Sequence, residues 1–498
     1  MGCSTNKTEK ADHLASILKQ YLAASAALLA VLINGTFSGW ATPCLPLLLS
    51  PDHSPLPVTL TKVDASWMMS QLFIGQTLSP LPSGYLMDRL GRKPTLLYCA
   101  VLPLAAWVLI FFAQDVYALS AAMFLAGLFV GTVYTVTPMY LGEIAEPSVR
   151  GRIITLTSVT TRLGIIFQVT IGVLLPFRLQ AIVSLSVPLL FMLVFPLVPE
   201  SPYYHLMRRD RNKAESALKW LRGSGRSKAN LEAELCELES AVDKQMRNKG
   251  DFRDLISTRG SRKALMTVET LAVLQRLSSM GPVMGYISTT LPLADFLQRL
   301  GPAACVVVID LVRLCSGLVS SMLVDCLGRR ALLITSGAFC GVIMMCAGGW
   351  FYCDATGFLD VSAPHLRWVP FICLLLHGIG FSLGLGPVCS AVRSEFFPMN
   401  IKAKSSAVTS TILAFASFLI NKFYLTIGDS LGMHYNYWMY GVSCFAVCLF
   451  ASCFMIETKG KSLQQIQDEL NDDYTPHKEE KETEYEEKSE NNNVEMKV

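Results

Sequence analysis

Charge is what this 498-residue sequence has least of: Asp, Glu, Lys and Arg together make up 16% of it, against roughly a quarter in a typical soluble domain. That shortage excludes a soluble multidomain enzyme, which the length alone would suggest. An excess of one sign is also missing. The formal net charge is +3, too small an imbalance to hold a nucleic-acid backbone, so no nucleic-acid partner is expected. Zinc-type Cys/His spacings, a nucleophile–base arrangement and a phosphate-cradling glycine loop are all lacking, so neither an enzyme nor a metal or cofactor is expected. The N-terminus has no small-residue cleavage site, and its first apolar run is expected to be kept as an anchor. Asn6 stands where a myristoylation pattern needs Ser or Thr.

What is present is apolar: 52% of the residues, with a mean hydropathy of +0.41. These residues come in runs of about twenty, long enough to cross a bilayer core of roughly 30 Å as helix. About twelve such spans are expected, over 18–40, 67–87, 95–113, 117–140, 153–175, 180–198, 264–290, 302–324, 331–352, 368–391, 405–428 and 435–456. The chain is therefore expected to be an all-α, multi-pass protein whose first partner is the lipid bilayer. Its 15 cysteines fall mostly inside those runs (Cys305, Cys315, Cys340, Cys346, Cys444, Cys448) and behave there as small apolar residues. Cys44 and Cys353 fall in expected outer loops, and whether they pair is left open.

Lys and Arg set the expected orientation. Arg89, Arg92, Lys93, Arg150, Arg152, Arg329, Arg330, Lys402 and Lys404 cluster in or beside loops 88–94, 141–152, 325–330 and 393–404. The opposite loops hold little beyond Lys62, Arg178, Arg299 and Arg367. This places both termini and the long loop 199–263 on the cytoplasmic side. The expected organisation is a cytoplasmic N-terminus (1–17), a six-span half (18–198), a linker (199–263), a second six-span half (264–456) and a cytoplasmic tail (457–498), disordered from about 470. Within the linker, Ala214, Ala217, Leu218 and Leu221, and then Leu231, Leu235, Leu238 and Val242, recur at helical spacing.

The charges repeat between halves. Asp88-Arg89-Leu90-Gly91-Arg92-Lys93 after the second span matches Asp325-Cys326-Leu327-Gly328-Arg329-Arg330 after the eighth. Glu143 stands to Arg150 as Glu395 stands to Lys402, and Glu200 is echoed by Glu457. Acids and bases at helix ends can pair between neighbouring helices and latch one state of a two-half bundle. Gly84, Asp88, Arg89, Gly91, Arg92, Glu143, Arg150, Glu200, Asp325, Arg329, Arg330, Glu395, Lys402 and Glu457 are the expected gating set.

These motifs resemble those of a known family. Gly84-x-x-x-Asp88-Arg89-x-Gly91-Arg92-Lys93 is similar to the major-facilitator loop signature. Pro138-x-Tyr140-x-x-Glu143 with Arg150-Gly151, Pro199-Glu200-Ser201-Pro202-Tyr203, Trp220-Leu221-Arg222-Gly223 and Glu457-Thr458-Lys459-Gly460 look like sugar-porter signatures. Gly380-Phe381-Ser382-Leu383-Gly384-x-Gly386-Pro387 resembles the facilitated trehalose/glucose transporter branch best known from insects. The resemblance runs from about residue 20 to 470. It implies a major facilitator fold of twelve helices in two six-helix pseudo-repeat halves, alternating access, a plasma-membrane location and a small-molecule substrate, a sugar such as trehalose or a hexose, bound at the midplane.

The family's sugar-site positions fall here on Ser158, on Gln275-Arg276-Leu277-Ser278-Ser279-Met280-Gly281, on Arg313, on Ser390 and on Asn421. Several of its amides and its tryptophan are thus replaced. Arg162 lies one helical turn beyond Ser158 and shares its face. Arg donates only and keeps its charge, whereas Gln and Asn offer a sugar both donors and acceptors. Asp310, on the helix face of Arg313, is expected to neutralise it, leaving Arg162 and Arg276 as surplus charge. Tyr286 and Trp40 are candidate cavity or gating aromatics, and His377 is expected to be a packed polar residue. Three readings stay open: a neutral-sugar facilitator, a carrier of an anionic or phenolic molecule, and a non-transporting sensor. Between Tyr21 and Trp40 the first span holds no acid, which favours facilitated diffusion over proton symport. The oligomeric state is not legible.

Overall fold

A computed structural model describes residues 2–471 except 53, 58, 224–227, 248–251, 279–280, 291–300, 359–362, 364–365, 398–400, 460 and 462. The expected disordered tail lies outside the described residues. Among the described residues the secondary structure is helical, with no strand. Among the same residues, ten helical segments are long and apolar enough to cross a membrane. The other two expected spans, the second and seventh, are each built from two shorter helices, so each of the twelve expected runs is formed by helices among its described residues.

Proline places the breaks. Span 2 runs as Lys62–Leu78, opened by a Thr61/Asp64 capping box, and then as Pro80–Leu90. Pro80 and Pro82 have no N–H to continue the ladder. Span 3 divides at Ala100 into Arg92–Cys99 and Val101–Phe112, where Pro103 cannot bond back to Cys99. Span 7 comprises Arg259–Leu277 and Gly281–Thr290. Span 10 runs through a π-helical segment, Phe381–Leu385, between Val369–Gly380 and Gly386–Glu395. The remaining spans are single: Gly2–Leu49 (span 1), Val116–Ile144 (4), Pro147–Leu174 (5), Phe177–Val194 (6), Pro302–Leu327 (8), Arg329–Thr356 (9), Lys402–Ser430 (11) and Met433–Phe454 (12).

The packing repeats as the charges do. Spans 1 and 5, 2 and 4, and 3 and 6 pair in the first half; 7 and 11, 8 and 10, and 9 and 12 pair in the second. Apolar lipid gives helices no solvent-driven reason to associate, so close backbone approach decides where they cross. Spans 1 and 5 cross at Gly35 and Gly164, where a Cβ on Gly35 would lie 2.7 Å from Gly164 Cα. The halves join through spans 2 and 11, 5 and 8, and 1 and 7.

One end of the bundle carries the linker. There Arg211–Arg222 and Lys228–Arg247 bury Leu218, Leu231, Leu235 and Val242 against Leu206 and Ala214, the faces expected from their spacing. Buried Arg222 joins the two linker helices through Glu234 (2.8 Å) and ties them to the first half through Glu146 (3.2 Å) and the Ile144 carbonyl (3.2 Å). At the far end one apolar core is continuous across both halves, joining Leu45 and Phe37 to Val283, Tyr286 and Tyr424. At the linker end the second half has a core of its own around Leu271, Leu333, Val388 and Phe396. Cross-half polar contacts tighten the far end. Thr42 Oγ1 donates to the Met284 carbonyl (3.1 Å), Ser66 Oγ donates to the Lys422 carbonyl (2.6 Å), Lys62 pairs with Asp429 (2.7 Å), and Lys422 lies over the Trp67 ring.

One sequence expectation, the placing of two cysteines in outer loops, is corrected here. Cys44 and Cys353 lie inside spans 1 and 9, and both are free thiols, with Cys44 buried and accepting from Gln180 Nε2. Trp40 is buried in the first half against Phe177 and does not stand in an open cavity.

Candidate functional site

Near mid-bundle, spans 1, 4 and 5 line a cavity of about 210 Å³ with Val31, Val133, Tyr134, Thr137, Pro138, Thr157, Ser158, Thr161 and Arg162. Ser158 and Arg162 share its wall, as their one-turn spacing predicted. The threonines were missed by sequence reading, although they recur on the same helical face. Thr157 and Thr161 donate to the Ile154 and Thr157 carbonyls, which leaves their lone pairs for a ligand. Pro138 has no N–H, so the Tyr134 carbonyl loses its helix donor beside the same cavity.

Arg162 does not remain a surplus charge. Its Nη1 bonds Asp310 Oδ1 at 2.8 Å, from span 5 of one half to span 8 of the other. Arg313, expected to be the partner of Asp310, stands farther from it at 3.8 Å and has its guanidinium over the Phe381 ring. One buried carboxylate therefore serves two guanidiniums. Arg276 remains apart: its Nε is buried without a hydrogen bond, and its electrostatic neighbours are Tyr134, across the interface, and Arg393.

The other expected site residues divide. Gln275 donates to the Leu385 and Gly386 carbonyls (3.1 Å each), and Ser320 Oγ donates to Leu383 O (2.7 Å), the carbonyl that Pro387 leaves without a helix partner. Gln275 thus holds the irregular part of span 10 in place. Ser390 is exposed, accepting from Arg393 Nη2 (2.8 Å). Gly281 is exposed at the start of its helix. Asn421 is buried, donating to the Ser417 carbonyl of its own helix. Tyr286 is fully buried in the core that joins the halves at the far end, stacked on Tyr424 with ring centroids 5.4 Å apart. His377 is packed as expected, fully buried with Nε2 3.1 Å from the Ser278 carbonyl. Glu269, in span 7, accepts from Thr409 (2.6 Å).

At the linker end the two halves repeat one construction. Gly91 (φ +113°) and Gly328 (φ +84°) open spans 3 and 9 in backbone geometry that other residues avoid. A Cβ on Gly91 would collide with Glu200 Oε2, and one on Gly328 would lie 2.8 Å from Glu457 Oε2. The freed space lets each carboxylate reach a helix N-terminus. Glu200 accepts from Lys93 N (3.0 Å), and Glu457 from Arg329 N and Arg330 N (2.9 Å each). Beside them Arg92 bonds Glu143 (2.9 Å), with Asp88 3.9 Å away, and Arg329 bonds Glu395 (3.2 Å), which also accepts from Thr458. Arg89 bonds the Tyr85 hydroxyl, while its carbonyl accepts from Tyr204 and Arg208. Arg150 reaches the Ala145 carbonyl, and the Arg330 side chain the Ser452 carbonyl. Gly84 faces open space. The Asp325 and Lys402 side chains lie outside the described residues. None of the pairs named here joins one half to the other.

The two end carboxylates differ in proton affinity. Burial raises the pKa of Glu200, and the Ser201 and Lys93 amides only partly oppose it. Burial also acts to raise that of Glu457, but four backbone N–H groups (Arg329, Arg330, Lys459, Thr458) outweigh it, and the net shift is downward. A lowered acid contributes stability above its unfolded pKa that is lost as pH falls through its folded pKa; a raised one loses its contribution as pH rises. Below the ordinary value of 4.5 the Glu457 contribution is lost, whereas Glu200 opposes stability only above it. Thermal unfolding followed from pH 7 downward should show an acid-side fall below about 4.5 that is shallower in Glu457→Gln than in the unaltered chain.

A profile described as "Sugar (and other) transporter" matches residues 5–470. The chain is 29% identical over 451 residues to a facilitated trehalose transporter Tret1-2 homolog of Drosophila simulans, covering 90% of each. It is 29% identical over 454 residues to the facilitated trehalose transporter Tret1 of Drosophila virilis, covering 91% of this chain and 48% of the relative. The chain thus spans about half the length of that relative. Among solved structures it resembles the inward-open xylose transporter XylE from E. coli, with a TM-score of 0.73 at 20% identity, covering 91% of this chain and 99% of that one. A second structure of XylE, described as a major facilitator superfamily proton:xylose symporter, gives 0.70 at 20% identity, covering 92% and 100%. That likeness establishes the fold as a major facilitator bundle. With the profile matched over nearly its whole length, the chain belongs to the sugar (and other) transporter family.

Proposed function

We propose that the protein carries a sugar across a membrane by facilitated diffusion, alternating between states open to either side. The hydroxyl-lined cavity beside the cross-half Arg162–Asp310 bond carries this reading, because it places ligand contacts and a state-dependent contact at one point. The trehalose transporters it resembles make trehalose and hexoses the first substrates to try. The Lys and Arg bias favours the cytoplasmic side for the linker, both termini and the paired charge networks, and the family resemblance favours the plasma membrane. On that orientation, the packing of the far end across the halves supports an inward-facing arrangement. The organisation is then an N-terminus (1–17), two halves (18–198 and 264–456), a linker (199–263) and a tail (457–498).

The charge networks fasten the helices of each half to one another in this state and re-pair across the halves when the cytoplasmic side closes. Proton coupling needs an acid free to titrate inside the membrane. Asp310 is held between two guanidiniums, and Glu269 has Thr409 on it, so a passive carrier fits better.

The test is uptake of radiolabelled trehalose and glucose into proteoliposomes containing the full chain. Saturable flux that a proton uncoupler leaves unchanged is expected. Flux that collapses with the uncoupler would replace the passive carrier with a symporter. A complete lack of flux from folded protein would favour a sensor.

A further inference from the structure

We infer that the sugar this cavity accommodates carries a carboxylate, making it a sugar acid, with Arg276 and Arg162 supplying the counter-charge. The inference rests on the transport reading and names its substrate class.

The first argument is charge. Among the described residues in the inner parts of spans 5, 7, 8 and 10, the guanidiniums of Arg162, Arg276, Arg313 and Arg393 face two carboxylates, Asp310 and Glu269. Asp310 is already shared between Arg162 and Arg313, and Glu269 holds Thr409. Arg393 spends donors on the Cys389 carbonyl and on Ser390 Oγ. Among the described residues no acid pairs with Arg276, and its Nε makes no hydrogen bond. A guanidinium held inside a membrane protein without a counter-ion is costly, and such groups belong where a ligand or a water-filled cavity meets them. An incoming carboxylate completes the pairing that the protein leaves unfinished, and the guanidinium fork suits it in geometry.

The second argument is the hydroxyl wall, which separates a sugar acid from a plain organic anion. Thr157 and Thr161 present acceptors to the cavity, as does the released Tyr134 carbonyl. Thr137, 1% exposed, lines the same cavity with an Oγ1 that has no hydrogen-bond partner. Three acceptors and one hydroxyl still free to donate fit vicinal hydroxyls, each of which both gives and takes a bond. A phenolic or aliphatic anion would leave them unmatched. Tyr134 joins the two features, being both a cavity wall and a neighbour of Arg276.

The experiment compares radiolabelled glucuronate and glucose in proteoliposomes containing the full chain. Saturable glucuronate flux is expected, with unlabelled glucuronate suppressing glucose entry. Arg276→Gln should reduce the preference for glucuronate over glucose by about tenfold, the share of one charge-assisted hydrogen bond. Arg276→Lys, which keeps the charge, should retain most of it. Glucose flux with glucuronate neither carried nor competing would overturn the inference while leaving transport intact. An unchanged preference in Arg276→Gln would also overturn it. If neither sugar crosses, the transport reading fails, and binding alone decides the ligand class. A rise in Tm with glucuronate but not with glucose, lost in Arg276→Gln, would uphold the sugar-acid site, and no rise would overturn it.

Discussion

Asp310→Asn is expected to be the most damaging single substitution in the membrane interior. Asp310 is 2% exposed and is the sole acid bonded to Arg162 and Arg313 among the described residues. Neutralising it leaves two guanidiniums facing each other in a low-dielectric bundle. Removing one partner of a buried pair typically costs about 3–5 kcal/mol, far more than the pair contributes when intact. The apparent Tm in detergent should fall and transport should be lost. Arg162→Gln should do less harm, because Asp310 then still neutralises Arg313. The double variant Arg162→Gln/Asp310→Asn should sit above Asp310→Asn alone, since only one unpaired cation remains. Equal stability of Asp310→Asn and the unaltered chain would show that water or lipid headgroups reach these guanidiniums. The same series bears on the cycle: Arg162–Asp310 spans the halves, so Arg162→Gln removes one bond that the movement between states has to break or keep.

Glu143→Gln should cost about 3–5 kcal/mol, and its pseudo-equivalent Glu395→Gln only about 1 kcal/mol. The topology is the same in both halves, but the burial is not. The Arg92 side chain is 3% exposed and that of Glu143 11%, whereas Arg329 and Glu395 are 16% and 23% exposed. Arg92 is further enclosed by Tyr204, the Met87 carbonyl and the linker residue Met207. Water can resolvate Arg329 when its acid is removed, and it cannot do so as easily for Arg92. Thermal unfolding of the two variants side by side measures the difference. Equal effects would mean that the pseudo-symmetry extends to solvation and that the linker does not seal the first half.

Much of the architecture was legible because it depends on local quantities. A run of about twenty apolar residues has to be a spanning helix, whatever lies beside it, since lipid offers the backbone no other partners. The amphipathic faces of the linker helices were read from spacing for a similar reason: Leu218, Leu221 and Leu235 turn inward together because a helix repeats every 3.6 residues. The repeated Glu and Arg positions predicted matching clusters. Their sequence did not show that the acids of Glu200 and Glu457 would sit on helix N-termini, which depends on how spans 6 and 12 end beside spans 3 and 9.

The candidate site was legible in its members and not in their pairings. Ser158 and Arg162 line one cavity because they share a helix face. Asp310 was assigned to Arg313 because they lie three residues apart, and the structure gives the shorter bond to Arg162, 148 residues away in sequence. Gln275 was read as a ligand group, and it bonds carbonyls of span 10; Tyr286 was read as a cavity or gating aromatic, and it lies stacked on Tyr424. By itself, the sequence determined the number and length of the spans, their internal repeat, the family and the surplus of guanidiniums. Tertiary structure alone decided which carboxylate meets which guanidinium and which aromatic is sealed away. Hydropathy and helical periodicity act over one turn or one span, whereas a buried charge is satisfied by whichever opposite charge the packed helices bring within about 4 Å.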